Sequence, residues 1–342
     1  MKKGGLWMVL MVIAGLGLLI WHRPWTTPSE VTRPLRMAVD PWPGSAHVFL
    51  AEKKGFFKKN GVSVQLHMEK GPADSLVSYK NGGLDGVVDA VYPDVITLRA
   101  LGYPIKIVYV NDFSQDGDVI IGRPDLRTLA DLKGRRVSFE TINSFSHIFV
   151  ISALEKYGLY EWAVKFERVK APDVLKALEE GRIDAGHTWQ PTSSQALAKG
   201  YTILAKARDV PGIIIDLTFM DAKVVAKYPM EVQGLVRSLV EARQYMVDHK
   251  EESLALMANA VGMTVKEMSD GLDEIHRATW EDNRTALTRS ESPTSLFQSG
   301  ENIIKFLVKR GGLRAIPDLD DLIDSRFIQG IEAPATLGKG PG

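Results

Sequence analysis

No cysteine occurs among the 342 residues. That excludes disulfides, thiolate metal sites, a cysteine nucleophile and a lipid-modified cysteine anchor. An excess of charge of either sign is also lacking: 42 Lys and Arg stand against 42 Asp and Glu, a formal net charge of +0. Neutralising phosphates requires clustered basic residues, so nucleic acid is excluded as a partner. There is no Gly-rich phosphate loop, no G-x-S-x-G elbow and no H-E-x-x-H. The 7 histidines are scattered with no pair at ligand spacing, so neither a metal nor a cofactor is expected. His147 and His187 read as hydrogen-bonded scaffold or ligand contacts. Asp318–Asp324 lacks the central Gly of a calcium loop and alternates like the solvated face of an amphipathic helix. What remains is an ordinary globular balance, 45% hydrophobic and 25% charged, long enough for two domains or one large bilobal one.

The N-terminus carries the compartment signal. Lys2 and Lys3 precede an apolar run from Leu6 to Trp21, the layout of a secretory signal. No small-x-small cleavage site follows it; Val12-Ile13-Ala14 would cut inside the run. The run is marginally long enough to span a bilayer, Trp21 and Trp25 suit the far interface, and the lysines favour an N-inside orientation. Residues 1–25 are therefore expected to form an uncleaved or inefficiently cleaved signal-anchor, placing the rest, anchored or secreted, in the periplasm or on the outer face of the inner membrane. Residues 26–34 (TTPSEVTRP from Thr26) read as a linker, and 331–342 as a flexible Gly/Pro/Lys tail.

From Leu35 onward short apolar runs alternate with amphipathic segments. Strands are expected at 35–40, 62–68, 86–90, 105–110, 119–122, 136–140, 166–169, 185–189 and 202–205. Helices are expected at 47–60, 72–79, 94–101, 129–133, 146–157, 173–181 and 192–199. Such alternation predicts parallel-rich sheets with helices on both faces. Beyond Asp221 the periodicity turns helical, at 229–249, 251–260, 265–276 and 298–309. The fold class is therefore α/β, with two α/β lobes and a helical C-terminal third. An internal repeat supports two similar units: Gly82-Gly83-Leu84-Asp85 … Tyr92-Pro93 … Gly102-Tyr103, and Gly181-Arg182-Ile183-Asp184 … Gln190-Pro191 … Gly200-Tyr201. Each places an aromatic after a strand and a Pro at a helix start, at the sheet edge where ligands bind in open α/β folds.

Carboxylates, hydroxyls and aromatics gather at these strand ends. The candidate ligand-binding residues are Trp42, Asp89, Tyr92, Asp112, Ser114, Asp116, Ser144, Ser146, His147, Trp189 and Asp216. Singly, a strand-end Asp or Ser is a cap or turn former; together they describe a cleft. Asp40 and Glu140 add to its acidity, and these loops contain no Lys or Arg. Trp42, Tyr92 and Trp189 supply flat walls or cation–π partners. A cationic, zwitterionic or aromatic nitrogenous solute is expected, with an alkanesulfonate second. No catalytic residue is expected.

Trp42-Pro43-Gly44 and Leu50–Val62 (LAEKKGFFKKNGV) resemble the opening of ABC-importer binding proteins of the nitrate/sulfonate/taurine/thiamine-precursor group, the SsuA/THI5-like family. The similarity continues through Gly83–Gly86, Asp112–Ser114, Leu129–Val137 and Thr188–Pro191, over roughly residues 35–257. The resemblance implies a type II periplasmic binding protein with two crossovers and a hinge: lobe I at 35–112 plus 217–330, lobe II at 113–216. It implies a monomer whose partners are a small-molecule solute and the permease and ATPase subunits of an ABC transporter. Two alternatives stand beside the importer. A membrane tether suits a ligand-sensing domain, although so few residues precede the apolar run that no cytoplasmic output domain fits there. The related pyrimidine synthases use a cysteine-rich motif and histidine-bound iron, which a chain without cysteine cannot supply.

Overall fold

The computed structural model describes residues 33–292 and 294–333. The expected signal-anchor and the tail from 334 onward lie outside the described residues, as does most of the linker. Among the described residues no helix is long and apolar enough to cross a membrane.

The first lobe opens with β1 (Leu35–Val39), β2 (Val64–Met68), β3 (Gly86–Val91) and β4 (Ile105–Ser114). The chain then enters the second lobe through β5 (Val119–Gly122), β6 (Arg136–Phe139), β7 (Lys165–Arg168), β8 (Ala185–Thr188) and β9 (Thr202–Lys206). It returns to the first through β10 (Ile215–Asp221) and ends that sheet with β11 (Ile275–Arg277). Strand order is β11-β4-β10-β3-β1-β2 in one sheet and β7-β6-β8-β5-β9 in the other. The β1, β2, β3 and the β6, β7, β8 sets are parallel, while β5, β10 and β11 run antiparallel to their neighbours. Every residue of β3 is buried, as expected for a central strand covered on both faces.

The repeat seen in the sequence has a structural cause. Asp85 accepts from Arg36 N at 2.8 Å and faces the Arg36 guanidinium at 3.3 Å. Asp184 repeats this with Arg136, at 2.9 Å to the backbone and 3.2 Å to the guanidinium. In each lobe an aspartate just before a central strand pins an arginine at the start of the strand beside it, the second residue of β1 and the first of β6, fixing the register Met37↔Gly86 in one lobe and Val137↔Ala185 in the other.

Three expectations change. The helix expected over 47–60 is two helices, His47–Lys53 and Phe56–Lys59, because Gly55 adopts φ +74° between them. β4 runs to Ser114 rather than Val110, since β10 pairs along it from Ile105 to Phe113; Asn111, Asp112 and Ser114 thus sit in a strand and not in a loop. The helix expected over 265–276 stops at Asp273, and Ile275–Arg277 becomes β11, pairing with Asp112–Ser114. There an open strand edge outweighs local helical periodicity.

Two chain segments join the lobes, and they are tied to each other. Arg208 N donates to Gln115 O at 2.7 Å, Ala207 N to Asp118 O at 2.9 Å, and Ser114 N to Ile214 O at 3.1 Å. Away from this joint the lobes also touch. Asp94 Oδ1 accepts from Phe145 N at 2.9 Å, Gln190 Nε2 donates to Glu274 Oε1 at 2.8 Å, and Arg310 bridges Glu155 and Glu161 at 2.6 and 2.5 Å.

Candidate functional site

Between the lobes lies a cavity of about 190 Å³. It is lined from the carboxyl ends of parallel strands in both sheets: Asp40–Trp42 after β1, Lys70–Pro72 after β2, Asp89 and Val91 on β3, Phe145 beyond β6, Pro172 beyond β7 and Trp189–Thr192 after β8. Asp118 from the joining segment, Ile214 and Asp216 at the start of β10, and Met263 complete the lining.

Of the expected site residues, Trp42, Asp89, Trp189 and Asp216 meet on this cavity. Asp112 lies directly behind it: fully buried, it accepts from Trp42 Nε1 at 3.3 Å. A Cβ on Gly44 would overlap the Asp112 carboxylate and lie 2.7 Å from Trp42 Nε1. The Trp42-Pro43-Gly44 run therefore needs glycine so that the indole can reach its anchor.

The remaining expected residues do other work. Tyr92 is fully buried, and its hydroxyl donates to Leu296 O at 2.8 Å; it is a core residue off the lining. Ser114 Oγ accepts from Asp118 N at 3.2 Å. Asp116 pairs with Lys206 and Arg208 outside the cavity. Ser144 caps the helix Phe145–Lys156 by accepting from His147 N, and His147 Nδ1 accepts from Asn143 N at 3.1 Å. Ser146 is buried and bonds to His187 Nδ1 at 2.8 Å. His187 Nε2 lies 2.9 Å from Asp118 Oδ1. This Ser146–His187–Asp118 chain has the order of a hydrolase triad, but its serine faces the core. The chain is satisfied with Ser146 donating to Nδ1 and Nε2–H donating to Asp118, which fixes the Asp118 carboxyl on the cavity wall.

Several lining residues escaped the sequence reading. Asp118 is the neighbour-but-one of the chosen Asp116, and Phe145 lies between the chosen Ser144 and Ser146. The strand phase of β5 and the first turn of the helix decide which of these neighbours faces inward. Lys70 corrects the expectation that the cleft edge carries no basic residue: it lies on the loop after β2 and stays exposed. Gln190 stood in the repeat and in the Thr188–Pro191 motif without being chosen, and Thr192 and Met263 carried no distinguishing signal.

The electrostatics are dominated by crowded, dry carboxyls. Burial raises Asp40 to about 6, against hydrogen bonds from Asp89 and the Trp42 backbone. Burial, then the charges of Asp40 and Asp216, hold Asp89 well above the ordinary carboxyl range. Asp216 is held up in the same way by burial and by Asp112 and Asp118. Asp112 rises to about 7 by burial, offset by the Arg243 guanidinium. Such groups are hard to ionise together because like charges repel strongly in a low dielectric. Aromatic rings close the walls: Trp189 stands 5.9 Å from Phe145 and 5.4 Å from His187, centroid to centroid. Among the described residues no cluster of three or more His, Asp or Glu is arranged to hold a metal ion.

Comparison with known proteins places this architecture. An aliphatic sulfonates-binding protein of Escherichia coli K12 is 26% identical over 239 residues, covering 67% of this chain and 73% of its own. The crystal structure of the periplasmic aliphatic sulphonate binding protein SsuA from Escherichia coli superposes with TM-score 0.68 at 20% identity, covering 84% of this chain and 96% of that one. The alkanesulfonate-binding protein from Xanthomonas axonopodis pv. citri, bound to MOPS, gives TM-score 0.68 at 16% identity, covering 85% and 98%. Fungal 4-amino-5-hydroxymethyl-2-methylpyrimidine phosphate synthases match over only 40–42% of their length, at 25–28% identity. The fold is that of the periplasmic binding proteins, and the desulfurization enzyme DSZB shares it, with TM-score 0.63 at 17% identity, covering 87% of this chain and 98% of that one. The family model "NMT1/THI5 like" matches residues 42–253, the span that carries Trp42, the joint and all of the second lobe, and the chain belongs to that family.

Proposed function

We propose that this protein is the extracytoplasmic solute-binding component of an ABC importer. It closes two lobes around a small nitrogenous, zwitterionic or sulfonate solute and performs no chemistry on it. The observation that carries this reading is the interlobe cavity, which draws polar groups and aromatic walls from the same edge of both sheets. Ligand pockets of this kind are mostly apolar with a few convergent polar groups, and they sit at the carboxyl ends of open α/β sheets. The relatedness to sulfonate-binding proteins adds to it. The burial of Ser146 supports a site without a nucleophile.

In this reading the lobes are those expected at 35–112 plus 217–330 and at 113–216, with each boundary moved by two residues, to after Ser114 and before Ile215, because β4 and β10 carry the first sheet that far, and the segment Leu6–Trp21 tethers a monomer to the outer face of the inner membrane. The permease and ATPase subunits are its partners, docking on the tips of the closed lobes. Deleting the gene and measuring uptake of the solute that co-purifies with the protein tests the role. Loss of uptake is expected. Unchanged uptake accompanied by altered gene expression would instead identify a tethered sensor.

A further inference from the structure

We infer that the cleft takes a small organic cation, an ammonium or amidinium carried on a flat apolar body, seated between Trp42 and Trp189 with its positive end on the carboxyls of Asp40, Asp89 and Asp216. This narrows the solute class and rests on the proposed solute-binding role.

The first observation is the balance of charge on the lining. Four carboxyls, those of Asp40, Asp89, Asp118 and Asp216, share the cavity, and among the described lining residues Lys70 is the one cation. Lys70 is exposed at the edge, where water screens it. A bare sulfonate would meet the charge that each carboxyl pair retains, which is of its own sign.

The second observation is independent of that count. Asp40 and Asp89 are each 2% exposed; Trp42 N and Ser45 Oγ donate to Asp40 Oδ1 and Asp89 Oδ2, which leaves Asp40 Oδ2 and Asp89 Oδ1 with no donor other than a proton held between the two carboxyls. An ammonium or amidinium has several N–H groups and no acceptor, so it satisfies such oxygens and balances their charge together. Two indoles on the same cavity suit the flat or apolar remainder, and a cation near an indole face gains further attraction.

The third observation concerns where an anion would otherwise go. The helix Phe145–Lys156 starts at the cavity, and a helix start is a ready anion site. Here Phe145 N already donates to Asp94 Oδ1 at 2.9 Å. Likewise Ala171 N, at the start of the next helical turn, donates to Glu140 Oε1 at 2.9 Å. The chain's own carboxylates fill these two positions, while the helix Pro72–Lys80, which also starts on the lining, has no side-chain cap.

Capture should release protons. Asp40 and Asp89 stand within hydrogen-bonding reach of each other, as do Asp112 and Asp216. Repulsion within each pair keeps a proton on it, and an arriving cation displaces that proton. The other groups facing these carboxyls are Glu140, Asp118 with His187 behind it, Ser45 on Asp89, and Arg243 beyond Asp112.

The test is calorimetric titration of the full-length protein in detergent with benzylammonium, benzamidinium, benzyl alcohol and benzenesulfonate, each in two buffers of different ionisation heat. The cations should bind at least tenfold more tightly than the alcohol, with net proton release, and benzenesulfonate should not bind. Asp89→Asn and Asp216→Asn, each with an unchanged circular dichroism spectrum, should weaken the cations at least tenfold. Three outcomes would overturn the inference: no cation binds, cation binding is unaffected by either substitution, or benzenesulfonate binds best. If benzenesulfonate binds and Trp189→Ala abolishes it, the solute-binding role stands while the cation assignment falls.

Discussion

The indole Nε1 of Trp42 donates to Asp112 Oδ2 across 3.3 Å, so a ring on the cavity wall is held by a carboxyl buried behind it. The bond exists because Gly44 leaves room for it. Gly44→Ala should therefore destabilise the protein by about 1–3 kcal/mol, as overpacking in a filled core does, and should also loosen Trp42. Thermal unfolding and the Trp42 fluorescence maximum report the two effects. Asp112→Asn keeps an acceptor of the same shape and should preserve the indole position; Asp112→Leu should not.

The raised carboxyls set a direction for stability against pH. A carboxyl whose folded pKa exceeds its unfolded value binds more protons when folded, so its contribution is full at low pH and is lost as pH rises through the folded value. Asp112 sits at about 7, and Asp89 and Asp216 lie well above 3.8. Between pH 6.5 and 8 stability should fall with rising pH, by up to about 1.4 kcal/mol per unit for each group still protonated. Below pH 6.5 the trend should flatten, because burial lowers His47 and His147 and the unfolded chain then takes up protons there. Urea unfolding at half-unit steps reads this. Asp89→Asn should raise stability at pH 8 and reduce the slope.

Closure has a visible latch. Gln190 on the second lobe donates to Glu274 beside β11, and burial raises Glu274 to about 7. Glu274→Ala removes the bond while leaving every lining residue, Gln190 included, unsubstituted. The population should shift towards an open form, seen as a larger radius of gyration in solution scattering, with solute affinity reduced by the fraction left closed. An unchanged scattering curve would show that Asp94–Phe145 and the Arg310 bridges suffice.

The proposed tether predicts that the Leu6–Trp21 segment is retained, since no small-x-small site follows Trp21. Intact-mass measurement of protein extracted from membranes should include it. A mature chain beginning near Thr26 would establish cleavage.

Much of this was legible in the sequence, and the reasons are specific. The β1 and β3 strands are near-continuous apolar runs; Asp40 follows the end of β1, and Asp89 stands two residues before the end of β3. The Asp85 and Asp184 repeats could be seen because each performs one structural task twice. What escaped was decided by tertiary pairing. Nothing local announces that β10 extends β4 to Ser114, or that β11 forms on its edge. The side-chain phase that sends Phe145 and Asp118 inward, and their chosen neighbours Ser146 and Asp116 elsewhere, is fixed only when both lobes are packed. Tyr92 misled because a strand-end aromatic suits a ligand wall and a core equally well.

The central claim is that a small solute binds between Trp42 and Trp189, and native mass spectrometry of the protein purified from its own membranes tests it most directly. The account predicts one non-covalent small molecule per chain, and its loss from Trp189→Ala. Removing an aromatic anchor from a desolvated site costs about 2 kcal/mol or more, roughly thirtyfold in affinity. A chain that carries no solute, or one whose solute survives Trp189→Ala in a folded protein, would contradict it.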